Sequence, residues 1–197
     1  MYLFGASGHG KVVLEVAEAA AVEVKGFIDG NTSLDSLFEY KVIHEVPAEG
    51  KVFLSMGSNA TRKKIAENNP VLNYPTLVHP KTIISKRAFV DVGTVIMGGV
   101  TINSGVTIGK HCIINTNSSI DHECTIHNYV HISPNVALAG DVEVGEGTHI
   151  GIGACAIQGV RIGKWCTIGA GAVIIRDVPD YAVVVGNPGK VIKYNNQ

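Results

Sequence analysis

Counting in sixes from Ile84 through Val90, Ile96 and Ile102 to Ile174 lands on Ile, Val or Leu at fifteen of sixteen positions, the exception being Ala156. An amphipathic strand alternates with period two and a helix recurs near 3.6 residues, so neither generates a strict six. Two residues before each lies a second series, from Thr82, Ala88 and Thr94 to Val160, Cys166 and Ala172, in which every side chain is small or β-branched. The position after the aliphatic holds Gly at 109, 145, 151, 163 and 169 and Asn or Asp at 91, 103, 115 and 121. Those types tolerate a left-handed backbone, which predicts a corner there. Each unit is then a short strand plus a turn, and stacked coils bury a column that no single coil could bury alone. Cys112, Cys124 and Cys166 fall in the small inward series, where thiols act as compact apolar fillers. With no CxxC pair among the four cysteines, reduced thiols are expected rather than disulfides or a zinc ribbon.

The aliphatic residues change character along the chain. From residue 80 onward there are 18 Ile and 16 Val but one Leu, Leu138, whereas the other seven Leu lie before it. Leu favours helices and Ile and Val favour strands. A boundary near residue 78 follows, giving a mixed α/β unit over 1–78 and an almost pure β unit over 79–197. A net charge of −1 offers no electrostatic reason to expect nucleic acid or an anionic membrane as partner. No apolar run reaches the roughly 18 residues of a membrane span, and Met1 to Gly5 lacks a charged leader region. A cytoplasmic protein is expected.

Before the repeat, Tyr2-Leu3-Phe4 reads as a strand, Gly5-Ala6-Ser7-Gly8-His9-Gly10 as a glycine loop, and Lys11 to Ala21 as a helix with Val12, Val13, Val16, Ala17 and Ala20 at helical spacing. A strand, a glycine loop and a helix start make an anion site, because free N–H groups and the positive end of the helix dipole converge there. The order G-x-x-G-x-G differs from the dinucleotide fingerprint, and a plain tight turn is the competing reading. Val24 to Ile28 is a second strand ending in Asp29-Gly30-Asn31, and Val52 to Met56 a third ending in Gly57-Ser58-Asn59 before a helix over Thr61 to Asn68. An acid about 20 residues beyond a glycine loop commonly bonds a ribose hydroxyl. Such a half-Rossmann unit is enough for a mononucleotide.

The repeat resembles the left-handed parallel β-helix of bacterial hexapeptide acyltransferases, in which three hexapeptides make one triangular coil. Residues 82–175 then give about five coils. More narrowly, Phe4-Gly5-Ala6-Ser7-Gly8-His9-Gly10-Lys11, the join Leu77-Val78-His79-Pro80 and the closing Gly186-Asn187-Pro188-Gly189-Lys190 resemble the nucleotide-sugar N-acetyltransferases of bacterial bacillosamine and perosamine synthesis. They also resemble the sialic acid O-acetyltransferases. The fold implied is an α/β half-Rossmann unit followed by a left-handed parallel β-helix. The resemblance implies that Ser7, Gly8, His9, Asp29, Gly30 and Gly57 hold the nucleotide sugar, with acetyl-CoA as co-substrate and no metal. It also implies a homotrimer with active sites between subunits. The closing motif of the family is often G-x-P-A-K, and Gly189 departs from it.

Repeat phase sorts the eight histidines. His122 and His131 both point away from the solenoid core. Ser119-Ile120-Asp121-His122-Glu123-Cys124 matches the family motif I-x-H-E, which implies His122 as general base supported by the Glu123 carboxylate, with Asp121 as competitor. A carboxylate on one ring nitrogen fixes the tautomer and frees the other nitrogen to take a proton. His131 matches a family position that contacts acetyl-CoA, and Ile152 and Ala170 align with cofactor-contacting positions. The implied reaction is direct acetyl transfer to the 4-amino group of a nucleotide-linked, UDP-first, 4-amino-4,6-dideoxy sugar. Sialic acid O-acetylation is the alternative, and a non-enzymatic sugar-nucleotide-binding trimer a more distant one. A zinc carbonic anhydrase on the same solenoid would use His122 and His127, but its third ligand falls at Lys86, which is no substitute for imidazole.

Overall fold

The structure, a computed structural model, describes residues 1–196. The N-terminal region is a five-stranded sheet of β1 (Tyr2–Phe4), β2 (Gly26–Ile28), β3 (Ser36–Leu37), β4 (Tyr40–Ile43) and β5 (Val52–Leu54), in the order β3-β4-β2-β1-β5. Helix α1 (Gly8–Ala19) follows β1, and α2 (Asn59–Asn68) follows β5. Strand β1 pairs in parallel with β2 on one side and β5 on the other. The chain therefore reverses its winding direction between β1 and β5, the place where open α/β sheets bind ligands. The antiparallel β3–β4 pair has no counterpart in the expected strands. Its residues lack clear alternation, and Phe38-Glu39 forms the turn without a glycine or proline signal.

From Leu77 the chain winds into a parallel β-solenoid of two-residue strands in three sheets. Within each sheet, neighbouring strands lie 18 residues apart, as in Ile102 opposite Ile84 and Ile120. Ile96, Ile102, Ile108, Ile114, Ile120, Ile126 and Ile132 are all within 1% of full burial. The small series packs between them, with Val100, Cys112, Cys124 and Val136 equally buried. The solenoid ends in a strand over Ala182–Val185, paired in parallel with Thr167–Ile168, and a last antiparallel strand over Lys190–Tyr194.

The corners differ from the sequence expectation. Positive φ recurs every six residues at Gly93, Gly99, Gly105, His111, Asn117, Glu123, Tyr129 and onward, two positions after the predicted corner residue. The residue directly after each aliphatic has another task. Where it is Asp91, Asn115 or Asp121, its side chain accepts the next backbone N–H at 2.7–2.8 Å. Where it is glycine, the next coil lies too close for a side chain: a Cβ on Gly109 would sit 2.5 Å from Asn128 Oδ1.

The α/β unit packs on one solenoid face. Leu3, Val13, Val16 and Ala17 share a buried cluster with Leu77, Val95, Met97 and Ile113. The outward column on that face runs Val95, Ile113, His131, His149, Thr167, apolar under the helix and polar further on. No helix among the described residues is long and apolar enough to cross a membrane.

Candidate active site

Three strand ends make a crevice. After β1, Gly5 takes φ +118 and Gly10 lets α1 close onto the loop, since a Cβ on Gly10 would lie 2.2 Å from the Gly5 carbonyl oxygen. Ser7 precedes α1 in extended conformation and its hydroxyl makes no capping bond. Asp29, after β2, accepts the Ala6 N–H at 2.8 Å through one carboxylate oxygen and the Asn31 N–H at 2.9 Å through the other. Asp29 thus ties the two loops together, and its remaining lone pairs are what a ribose hydroxyl could use. After β5, Ser58 caps α2, its Oγ 3.3 Å from the Thr61 nitrogen. A Cβ on Gly8, Gly30 or Gly57 would meet nothing within 4 Å. The protein's own packing does not demand glycine at these three positions. They leave open space beside two helix N-termini, where partial positive charge collects.

His9 and His131 lie together beneath this crevice, their ring centroids 6.1 Å apart. His131 stacks on His149 at 4.7 Å with the planes 7° apart. Asn115 Nδ2 lies 3.2 Å from His131 Nε2, and Ser133 Oγ lies 2.8 Å from His149 Nε2. His131 does point away from the solenoid core, but the α/β unit covers it. Burial lowers the His9 pKa to about 4 and that of His131 to about 2, the latter helped by His149, Arg62 and His9 and opposed by a backbone hydrogen bond with Gly57. Burial, then Arg62, also lowers His149. These imidazoles are neutral at physiological pH. The sequence reading missed His149 and Arg62. Setting residues 18 apart side by side would have found His149 next to His131.

His122 and Glu123 occupy a different prism edge, between the strands Ser119–Ile120 and Thr125–Ile126. Both are exposed, with His122 Nδ1 3.4 Å from Glu123 Oε2. Asp121 is engaged elsewhere: its Oδ1 accepts Asn103 Nδ2 at 2.7 Å and the His122 N–H at 2.8 Å, and these bonds lower its pKa. The His122 ring lies against the next coil at Gly140, where an added Cβ would be 2.5 Å from Nε2. Ile152 is half-exposed on a third edge, and its carbonyl accepts the Gly171 N–H one coil on, beside Ala170. Within one protomer the expected residues therefore form a crevice cluster, a separate His122–Glu123 pair, and an apolar ledge.

Burial pushes the Cys112 thiol up to about 12 and raises Cys124 and Cys166. Thiols so raised are not nucleophiles at neutral pH. His127 Nε2 is bonded to Glu143 Oε1 at 2.8 Å. Among the described residues, no three His, Cys, Asp or Glu side chains converge as a metal site.

Residues 1–69 match the PglD N-terminal domain family. The whole chain is similar to PerB from Caulobacter crescentus, solved in complex with CoA and GDP-perosamine: 32% identity, 98% of this chain and 96% of that one covered, TM-score 0.93. It is similar also to the acetyltransferase domain of PglB from Neisseria gonorrhoeae in complex with acetyl coenzyme A, at 36% identity over 97% of this chain and 98% of that one, with TM-score 0.91. A GDP-perosamine N-acetyltransferase of Escherichia coli O157:H7 is 26% identical over 176 residues, 80% of this chain and 78% of that protein. The chain spans 41 to 49% of the length of the first curated relatives it matches, serine acetyltransferases among them.

Proposed function

From its membership in the hexapeptide-repeat sugar acetyltransferases, the family of PerB and the PglB acetyltransferase domain, we propose that this chain transfers acetyl from acetyl-CoA to the amino group of a nucleotide-linked amino sugar. The observation that carries the reading is the open glycine crevice at the ends of β1, β2 and β5, present on the same chain as the exposed His122–Glu123 pair. The crevice supports a nucleoside diphosphate held by backbone N–H groups, which needs no basic patch. Ser7, Gly8, His9, Asp29, Gly30 and Gly57 are its proposed contacts, and the sugar is a 4-amino-4,6-dideoxy hexose on UDP, with GDP the closest competitor.

In the proposed chemistry, His122 Nδ1–H donates to Glu123, which leaves the Nε2 lone pair for the acceptor amine. The amine nitrogen bonds to the thioester carbonyl carbon while His122 takes its proton, and a backbone N–H stabilises the oxyanion. The C–S bond then breaks, and the departing CoA thiolate receives the proton from His122. His131, Ile152 and Ala170 are proposed acetyl-CoA contacts. Because His122 and the crevice lie on different edges of one protomer, the reading places each site between subunits of a homotrimer, and light scattering at the trimer mass checks this. A domain division near residue 78 goes with it. Titration of UDP, GDP and CMP sugars by calorimetry tests the substrate: tight UDP- or GDP-sugar binding supports the proposal, while binding of CMP-sialic acid alone would replace it with O-acetylation.

A further inference from the structure

One buried cation belongs to none of the groups assigned above. Arg62, in α2, is 1% exposed. Its Nε donates to the His111 carbonyl at 3.0 Å, Nη1 to the Met56 and Gly57 carbonyls at 3.2 and 3.1 Å, and Nη2 to Asn59 Oδ1 at 2.8 Å and the Tyr129 carbonyl at 3.0 Å. All five acceptors are neutral. No carboxylate pairs with it among the described residues. Burial lowers its pKa to about 10, which leaves it charged at neutral pH. A buried charge without a counter-ion is costly, and a merely structural tie between two units is cheaper to make with apolar contacts.

The direction of the bonds matters as much as their number. In a planar trans peptide the C=O and the following N–H point in opposite directions. The carbonyls of Met56 and Gly57 are turned onto Arg62, so the N–H groups of Gly57 and Ser58 are turned away from it. Among the described residues, neither N–H donates to another backbone group. Both stand at the end of β5 and the start of α2, on the crevice where the chain reverses its winding, and Gly57 is one of the positions with open space around a would-be Cβ.

We infer that Arg62 is a positioning residue of the nucleotide-sugar site: it clamps the Met56–Gly57 turn to the His111 and Tyr129 carbonyls of the solenoid, so that the Gly57 and Ser58 N–H groups face a bound diphosphate. Its unpaired charge is the counter-charge that the diphosphate meets. The inference rests on the nucleotide-sugar reading of the crevice. The titratable groups around Arg62 agree with an anion as the missing partner: His9 from α1, and His111, Cys112, Tyr129, His131 and His149 from the solenoid, none of them anionic at neutral pH. The Arg62 charge is also among the causes that lower all four histidines.

Two variants and one wild-type measurement test this. Arg62→Gln removes charge and clamp, and should raise KM for the nucleotide sugar by about 10-fold or more while KM for acetyl-CoA stays within about 2-fold. It should also raise the His131 and His149 pKa values, read from their ring resonances by NMR. Arg62→Lys keeps the charge but not the fork, so the histidines should stay low while the nucleotide-sugar KM still rises. Equal rises in both KM values, or an unchanged nucleotide-sugar KM, would overturn the inference. If the variants do not fold, inorganic pyrophosphate is titrated into wild-type protein and followed at the Gly57 and Ser58 amides. Selective shifts there support the clamp, and unmoved amides overturn it. Absence of acetyl transfer by the wild type would instead count against the sugar-acetyltransferase reading, and the pyrophosphate titration remains readable in that event.

Discussion

In the solenoid, a Cβ built on Gly109, Gly145 or Gly151 would lie 2.5–2.6 Å from atoms of the following coil. In the α/β unit, a Cβ on Gly8, Gly30 or Gly57 would meet nothing within 4 Å. The same residue type therefore answers two different demands. The glycines that follow a core aliphatic are required by the protein's own stacking, Gly153, Gly159 and Gly171 answer to positive φ at open corners, and the crevice glycines have neither reason within the protein. Gly10 belongs with the first group despite its place in the loop, because a side chain there would strike the Gly5 carbonyl. The two regions also differ in charge. The solenoid interior is aliphatic with a few thiols and hydroxyls, while the junction beneath the crevice holds Arg62 and four neutral histidines.

Acid should act on the junction before the solenoid, and this is the largest effect expected. A histidine whose folded pKa lies below the unfolded value of about 6.5 leaves the extra proton on the unfolded chain. Stability is then complete above pH 6.5, falls as pH drops, and levels off below the folded pKa. For His9 and His111, each lowered to about 4, the loss by pH 4 is on the order of 2–3 kcal/mol apiece. Hydrogen exchange at pH 7 and pH 4.5 should show α1 and α2 losing protection first. Equal loss along the solenoid strands would erase the contrast.

Within the solenoid, Ile126→Ala should cost about 2–5 kcal/mol in denaturant unfolding, because the rigid stack cannot collapse around the missing atoms. The glycine contrast predicts a split in the α/β unit. Gly10→Ala should destabilise by about 1–3 kcal/mol through the Gly5 carbonyl, whereas Gly57→Val should leave Tm nearly unchanged and weaken nucleotide-sugar binding about 10-fold. A smaller effect is expected at Gly140. Alanine there pushes the flexible His122 ring rather than the backbone, so kcat should drop about 10-fold with Tm within about 2 °C of wild type. Unchanged turnover in Gly140→Ala would show that the ring position over Gly140 is not the working one.

Much of the solenoid is legible because one constraint repeats: each aliphatic must sit above the last, so Ile84 to Ile174 and the small series two before it report the core directly. Composition misplaces the corner. Asn, Asp and Gly after the aliphatic suggested positive φ, but those side chains bond the following N–H or make room for the next coil, and positive φ falls two residues later on His111, Glu123 and Tyr129. In the α/β unit the glycine loop and strand ends were visible, and the β3–β4 pair was not. Arg62 left no signal, since Arg62-Lys63-Lys64 reads as a solvated run and only the docking of α2 on the solenoid makes its first member a buried clamp. Repeat phase puts His131 outward from the prism, but outward is not exposed where a second unit covers the face.

The central claim is that the α/β crevice binds and the His122–Glu123 corner transforms, and His122→Ala tests it most directly. In a CoA thiol-release assay with the preferred nucleotide sugar, kcat should fall about 10²–10⁴-fold, while the Kd of the nucleotide sugar measured by calorimetry stays within about 2-fold of wild type. Near wild-type turnover in His122→Ala would contradict the account.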